Sequence, residues 1–212
     1  MHFDFSTLTA AERYKLMASA ITPRPIAWLT TLSADGVRNA APYSFFNMMS
    51  REPPLVAIGM MGRPDGTYQD SARNVLDTRE FVINLVAEHD VQAMNMTCID
   101  APPEFDELTF ADITVEPSVE VAPPRIASAP VSMECRVVET FQRGASIVVL
   151  GEVIHFHIAD ELVDPERLHV DALAMNLVAR MHGAGWYTRS TDLFQLQRPT
   201  FADLAKAERP TS

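Results

Sequence analysis

The sequence predicts a mainly β protein, an antiparallel β-barrel with short flanking helices. Three observations predict it. Six or seven segments have strand length and a β-rich or alternating composition, with turn signals between them. The helix candidates are few and short. The alternation of long helix and parallel strand expected of a doubly wound sheet is missing.

Along the chain, "TAAERYKLMASAI" opens as a helix, with Thr9 and Glu12 at capping-box spacing and Leu8 placed to pack on Tyr14 or the stem of Arg13. Prolines 23 and 25 in "TPRP" end it. "IAWLTTLSADGVRNAAPYS" is a hairpin turning at Asp35-Gly36. "PPLVAIGMM" is a continuous apolar run, expected to be a strand buried on both faces. "TYQDSARNVLDTRE" is the next helix, with Val75 and Leu76 facing in; "EFVINLVAE" is a strand and "HDVQAMNMTCI" a short helix. The stretch 100–130 is rich in proline and acids, yet Phe105, Leu108, Phe110 and Ile113 are spaced through it. It is expected to be a long surface excursion, not a linker. Two long alternating strands follow, joined near Gln142-Arg143-Gly144. "DPERLHVDALAMNLVARM" is expected to be helical, and "HGAGWYTRSTDLFQLQRP" to return in turns and one short strand. This makes one domain over 1–199 and a mobile tail over 200–212.

Bulk composition narrows the function. The chain has 212 residues, 47% of them hydrophobic, enough for a packed core. A net charge of -11 argues against nucleic acid and anionic membrane as partners, because both need clustered Lys and Arg. Two cysteines without a CxxC argue against a disulfide or zinc framework; Cys98 and Cys135 are both expected to be structural. No run approaches the roughly 18 apolar residues that cross a bilayer, and the N-terminus lacks a secretory signal pattern. A cytoplasmic location is expected.

The familiar chemical motifs are absent: no GxGxxG, no P-loop, no GxSxG. His155 and His157 would share a strand face and could meet one metal ion, but no third ligand is near in sequence, and a solvated face explains them as well. Glu104, Asp106 and Glu107 could be acid or base groups, but lie in the acidic excursion and are expected to be solvated. "GTYQDSARN" brings hydroxyls, an amide and a guanidinium to a helix start, a place that favours anions; an ordinary N-cap by Asp70 or Ser71 is the alternative. "NAAPYSFFNMMS" is apolar but interrupted by Asn39, Ser44 and Asn47, which need partners.

Together, "TPRPIAWLTTLSADGVRNAAPYSFFNMMSREPPLVAIGM", "DSARNVLDTREFVINLV", "APVSMECRVVE", "LGEVIHFHI" and "MHGAGWYTRSTDLFQLQRP" resemble the flavin reductase-like family of FMN-binding split barrels, from about residue 21 to 199. The resemblance implies an antiparallel Greek-key split β-barrel of six strands that forms a homodimer with FMN at the subunit interface. NAD(P)H is the implied hydride donor, and a small molecule the acceptor. A partner oxygenase or redox protein is implied as well. It implies that Trp28, Leu29, Thr30 and Thr31 lie beside the flavin. Asn39, Ala41, Tyr43, Ser44, Phe46 and Asn47 match the family's "N-x-A-P-[FY]-S-[FY]-F-N" and would bond the ring and ribityl groups. Gln69, Asp70 and Ser71, with Arg73 and Asn74, would approach the ribityl chain and phosphate, although Gln69 stands where many members have lysine; Arg73 or Arg63 would then supply the missing cation. His182, Gly183 and Tyr187 match positions near the pocket, where the slim Gly183-Ala184-Gly185 run would leave room for the donor. Flavin carries the redox chemistry itself, so no catalytic side chain is required. A non-catalytic FMN carrier or electron relay is the alternative, and a metal-binding barrel using His155 and His157 the remaining one.

Overall fold

The computed structural model describes residues 1–201 except 64, 145 and 184. The mobile tail expected over 200–212 falls almost wholly on 202–212, outside the described residues, as does Ala184 of the slim run. Seven strands build one sheet: β1 (Ala27–Leu32), β2 (Arg38–Tyr43), β3 (Phe46–Arg51), β4 (Pro54–Met60), β5 (Glu80–Leu85), β6 (Val131–Arg143) and β7 (Ser146–Ile158). Their order is β2-β1-β5-β6-β7-β4-β3, and every neighbouring pair is antiparallel. The β1–β2 hairpin turns where expected, with Gly36 at φ +82, a conformation a side chain would disfavour.

β2 and β3 stand at opposite edges of this order, yet only Ser44 and Phe45 separate them in the chain. Three Cα–Cα steps reach about 11 Å. A flat seven-stranded sheet would hold its edges about 29 Å apart. The sheet therefore curls until its edges approach at this link, and the Gly59 N–H of β4 donates to the Phe45 carbonyl at 2.7 Å.

The pleat of β1 divides the core. Ala27 and Leu29 join Ile58, Phe81, Ile83 and Val149 in one apolar cluster, while Trp28 joins Met94, Leu108 and Ile126 in a second on the other face. Each large side chain so buried contributes about 1.5–3 kcal/mol. β1 and β5, and not β4, are thus buried on both faces. β4 alternates: Val56, Ile58 and Met60 point into the first cluster and its other face is partly open. Its apolar run reflects residues facing a cleft, described below.

Among the described residues, four α-helices flank the sheet. α1 (Ala10–Ala20) carries the predicted capping box: the Glu12 N–H donates to Thr9 Oγ1 and the Thr9 N–H to the Glu12 carboxylate. α2 (Asp70–Thr78) buries Val75 and packs Leu76 against the first cluster. α3 (Val91–Met96) and α4 (Glu107–Phe110) are short. The expected helix over 164–181 is not formed. Its residues make turns and the short strands His169–Val170 and Val178–Arg180. Leu168 and Asn176 adopt positive φ, which breaks a helix. Val178 and Arg180 give their N–H groups to the distant carbonyls of Val86 and Arg24.

The excursion is anchored by Glu134 of β6. This carboxylate is fully buried. It accepts the successive N–H groups of Val119 (2.8 Å), Glu120 (2.6 Å) and Val121 (3.2 Å), a concavity suited to an anion. His157 Nε2 donates to it at 2.6 Å. Burial alone would raise its pKa, but these bonds outweigh it and hold the carboxyl below the usual range. His157 is therefore occupied with an internal anion and is not on a solvated face. Its ring lies 4.6 Å from that of His155. Among the described residues, no group of three or more His, Cys, Asp or Glu is placed to hold a metal.

Candidate functional site

The interrupted stretch of β2, the link and β3 lines three adjoining clefts. The first, of about 320 Å³, has Asn39, Ala41 and Tyr43 on one wall and Gln69, Asp70 and Ser71 at the start of α2 on the other. Here the polar interruptions find partners. Asn39 Nδ2 donates to Ser71 Oγ at 2.7 Å. The Tyr43 hydroxyl donates to Gln69 Oε1 at 3.2 Å. Burial pushes the Tyr43 phenol up to about 12, so it stays a neutral donor at all ordinary pH.

The depth of this cleft is acidic. Glu107 of α4, buried, takes the Ala40 N–H at 3.2 Å, and burial pushes its carboxyl up. It is not the solvated loop acid expected from its surroundings; Asp106 beside it caps α4 and pairs with Arg38 at 2.6 Å, and only Glu104 is exposed. Asp70 and Asp100 also line the cleft. Arg63 bonds both, at 3.1 and 3.2 Å, and Arg73 reaches Asp70 at 3.3 Å. The N-cap of α2 is Gln69 with no side-chain cap bond, so neither Asp70 nor Ser71 plays that part.

A second cleft, of about 210 Å³, lies across Pro42 and Tyr43 and is lined by Arg24, Ser44, Cys98, Arg180 and Tyr187. Arg24 is buried. Its guanidinium donates to the carbonyls of Ala18 (2.5 Å), Ile21 (2.7 Å) and Met181 (2.7 Å), and to Ser44 Oγ (3.3 Å). Arg180 donates to the Tyr187 hydroxyl at 2.8 Å and lies over its ring. Cys98 is exposed on the rim shared by both clefts, unlike the buried Cys135.

The third cleft, of about 560 Å³, is apolar. Ser44, Phe46 and Asn47 line it with Met17, Ile21 and Phe45. Asn47 Oδ1 accepts its neighbour's N–H, from Met48, at 2.8 Å, within β3 and next to its register shift at Met48–Ser50.

Six predicted site residues therefore meet in the first cleft, and Ser44, Phe46, Asn47 and Tyr187 line the other two. Trp28, Leu29, Thr30 and Thr31 do not line any of the three. They are fully buried, and Trp28 Nε1 donates to Thr97 Oγ1 at 3.0 Å. Asn74 is likewise turned inward, onto Thr31 Oγ1 at 3.1 Å. Arg73 stands outside, holding Asp70. His182 is exposed and stacks near Trp186, and Gly183 faces open space. Sequence reasoning missed Arg24, Arg180, Glu107 and Cys98 as cleft residues. The one local signal was an arginine between prolines 23 and 25.

The curled antiparallel sheet is the fold of the split-barrel flavin reductases and flavoredoxins that the chain superposes on. The chain belongs to the flavin reductase like domain family, whose model matches residues 17–176. A protein of Deinococcus radiodurans is 41% identical over 95% of this chain and 91% of its own length. Among solved structures, Pseudomonas fluorescens 2-nitrobenzoate 2-nitroreductase NbaA is 32% identical, covers 95% of this chain and 98% of its own, and superposes with a TM-score of 0.85. Component B of nitrilotriacetate monooxygenase from Bacillus cereus is 28% identical over 92% and 98%, with a TM-score of 0.86.

Proposed function

We propose that this chain, as one domain over 1–199, is an FMN-dependent oxidoreductase that takes electrons from NAD(P)H and delivers them to flavin or a small acceptor. The observation that carries this is the meeting of Asn39, Tyr43, Gln69 and Ser71, from segments 26 or more residues apart, around one cleft. The residues fit the cofactor in part by exclusion. Two carboxylates in the depth of the cleft, Glu107 and Asp70, oppose an anion there. The phosphate end is assigned to the rim, where Arg63 and Arg73 flank Asp70 and replace the lysine that Gln69 displaces. Asn39, Ser71 and Tyr43 orient the polar edge of the ring, while Ala41, Pro42 and Ile99 give it an apolar wall. FMN, when bound, supplies the two-electron chemistry.

The Greek-key split barrel belongs to the same proposal, supported by the two-residue link that joins the sheet edges. So does a homodimer with flavin at the interface. Met17, Ile21, Phe45, Met49 and Val148 expose apolar surface around the third cleft, directly beside the proposed flavin wall. No helix among the described residues is long and apolar enough to cross a membrane, in keeping with a cytoplasmic location.

The test is the spectrum of freshly purified protein. Absorbance between about 350 and 500 nm is expected from the oxidised isoalloxazine ring, with bleaching on addition of NADH or NADPH. No bleaching with either removes the reductase and leaves a flavin carrier. The likeness to a monooxygenase component favours that second reading, an electron relay serving a partner oxygenase. Steady-state turnover with free flavin as acceptor separates the two: a relay turns over only with its partner present.

A further inference from the structure

The second cleft carries a charge pattern opposite to that of the first. Arg24 and Arg180 face each other across an antiparallel bridge. The Arg24 N–H donates to the Arg180 carbonyl at 2.9 Å, and the Arg180 N–H to the Arg24 carbonyl at 2.8 Å. Residues so paired project side chains from the same face, and like charges directly opposite destabilise a sheet. Arg24 is buried as well, and burial together with Arg180 lowers its pKa. Among the described residues, neither guanidinium has a carboxylate within salt-bridge distance. Arg24 has carbonyls and the Ser44 hydroxyl; Arg180 has the Tyr187 hydroxyl and ring. The neighbouring cleft has the reverse balance, with Asp70, Asp100 and Glu107 against Arg63. A paired dication without a counter-charge, walled by Tyr14, Tyr187 and Pro42, is complementary to a flat organic anion.

We propose that this cleft is an oxyanion site, taking the carboxylate of a small planar acceptor with Arg24 and Arg180 as its two donors. At about 210 Å³ the cleft is below the size of most ligand pockets, so it holds one end of the molecule. The open side at Tyr43 joins it to the first cleft, and there the proposal rests on the flavin reading: the rest of the acceptor would reach the ring past Tyr43.

Benzoate and its neutral amide, benzamide, are the probes, titrated calorimetrically into protein with and without FMN. Benzoate is expected to bind at least tenfold more tightly than benzamide. Arg180→Met should weaken benzoate at least tenfold and Arg180→Lys less, with FMN affinity unchanged in both. Arg180 is the position to vary because Arg24 also holds three backbone carbonyls. Benzoate binding no tighter than benzamide, or unaffected by Arg180→Met, overturns the site. If Arg180→Met weakens FMN but not riboflavin, the cleft takes the cofactor's phosphate and the acceptor assignment falls. Protein that binds benzoate in the expected pattern but never FMN sinks the flavin reading and leaves the anion site standing.

Discussion

Two buried glutamates, Glu134 and Glu107, have opposite fates. Glu134 accepts three backbone N–H groups and a histidine, and its carboxyl is held low. Glu107 accepts one backbone N–H from Ala40, and its carboxyl is pushed up. Burial raises both; backbone donors and His157 bring Glu134 down, whereas neighbouring Asp70 and Asp106 add to the rise of Glu107. The contrast separates structure from site. A saturated carboxylate fastens the excursion to β6. An under-supplied one sits in the wall of the cleft where ligand is expected.

Glu134→Ala breaks the contrast with the largest expected effect. It strands three N–H groups and His157, so a loss of about 3 kcal/mol of stability is expected, read by denaturant unfolding. Partial proteolysis near 119–121 should rise with it. Destabilisation below about 0.5 kcal/mol, the range of ordinary surface changes, would mean that water replaces the clamp. The Ser71→Ala, Arg73→Ala double variant acts on the cleft and not on the clamp. FMN affinity should fall tenfold or more, about 1.4 kcal/mol, and stability by about 1 kcal/mol, because Asn39 Nδ2 loses Ser71 Oγ. Unchanged affinity places the phosphate away from α2.

The smallest effect sharpens the comparison through pH. A depressed carboxyl such as Glu134 adds stability above its unfolded pKa of about 4.3, lost as pH falls through the lower folded value. A raised one such as Glu107 has the opposite sign: its contribution is present below the unfolded pKa and lost as pH rises through the folded value. Glu107→Gln keeps an oxygen for the Ala40 N–H and removes the titration. It should therefore make stability fall less between pH 4 and 7 than in the parent, by roughly 1 kcal/mol or less. An unaltered slope would show that Glu107 does not titrate in that window.

Much of the sheet was legible because its signals are local. Asp35-Gly36 and Gly144 mark the two clear hairpins, and the capping box of α1 stands within four residues. The 164–181 segment was misjudged because its bonds are not local: Val178 answers to Val86, and Arg180 to Arg24. That error also hid the second cleft, since Arg180 on a helix would not meet Arg24. Within the first cleft, Asn39 and Ser71 stand 32 residues apart and no spacing rule joins them; the family resemblance did. The same resemblance set Trp28–Thr31 beside the flavin, whereas the pleat of β1 commits those side chains to the two clusters and to internal hydrogen bonds.

The Ser44–Phe45 link has a thermodynamic consequence. It joins the two edges of the sheet, and all three clefts open beside it. A ligand in either of the first two clefts rests on β2, and one in the third on β3, so each would bind the folded sheet and not the unfolded chain. Binding and folding are then one linked equilibrium: ligand at a hundred times its Kd adds about 2.7 kcal/mol to the unfolding free energy. The midpoint of thermal unfolding becomes a gauge of occupancy, even for a ligand without colour.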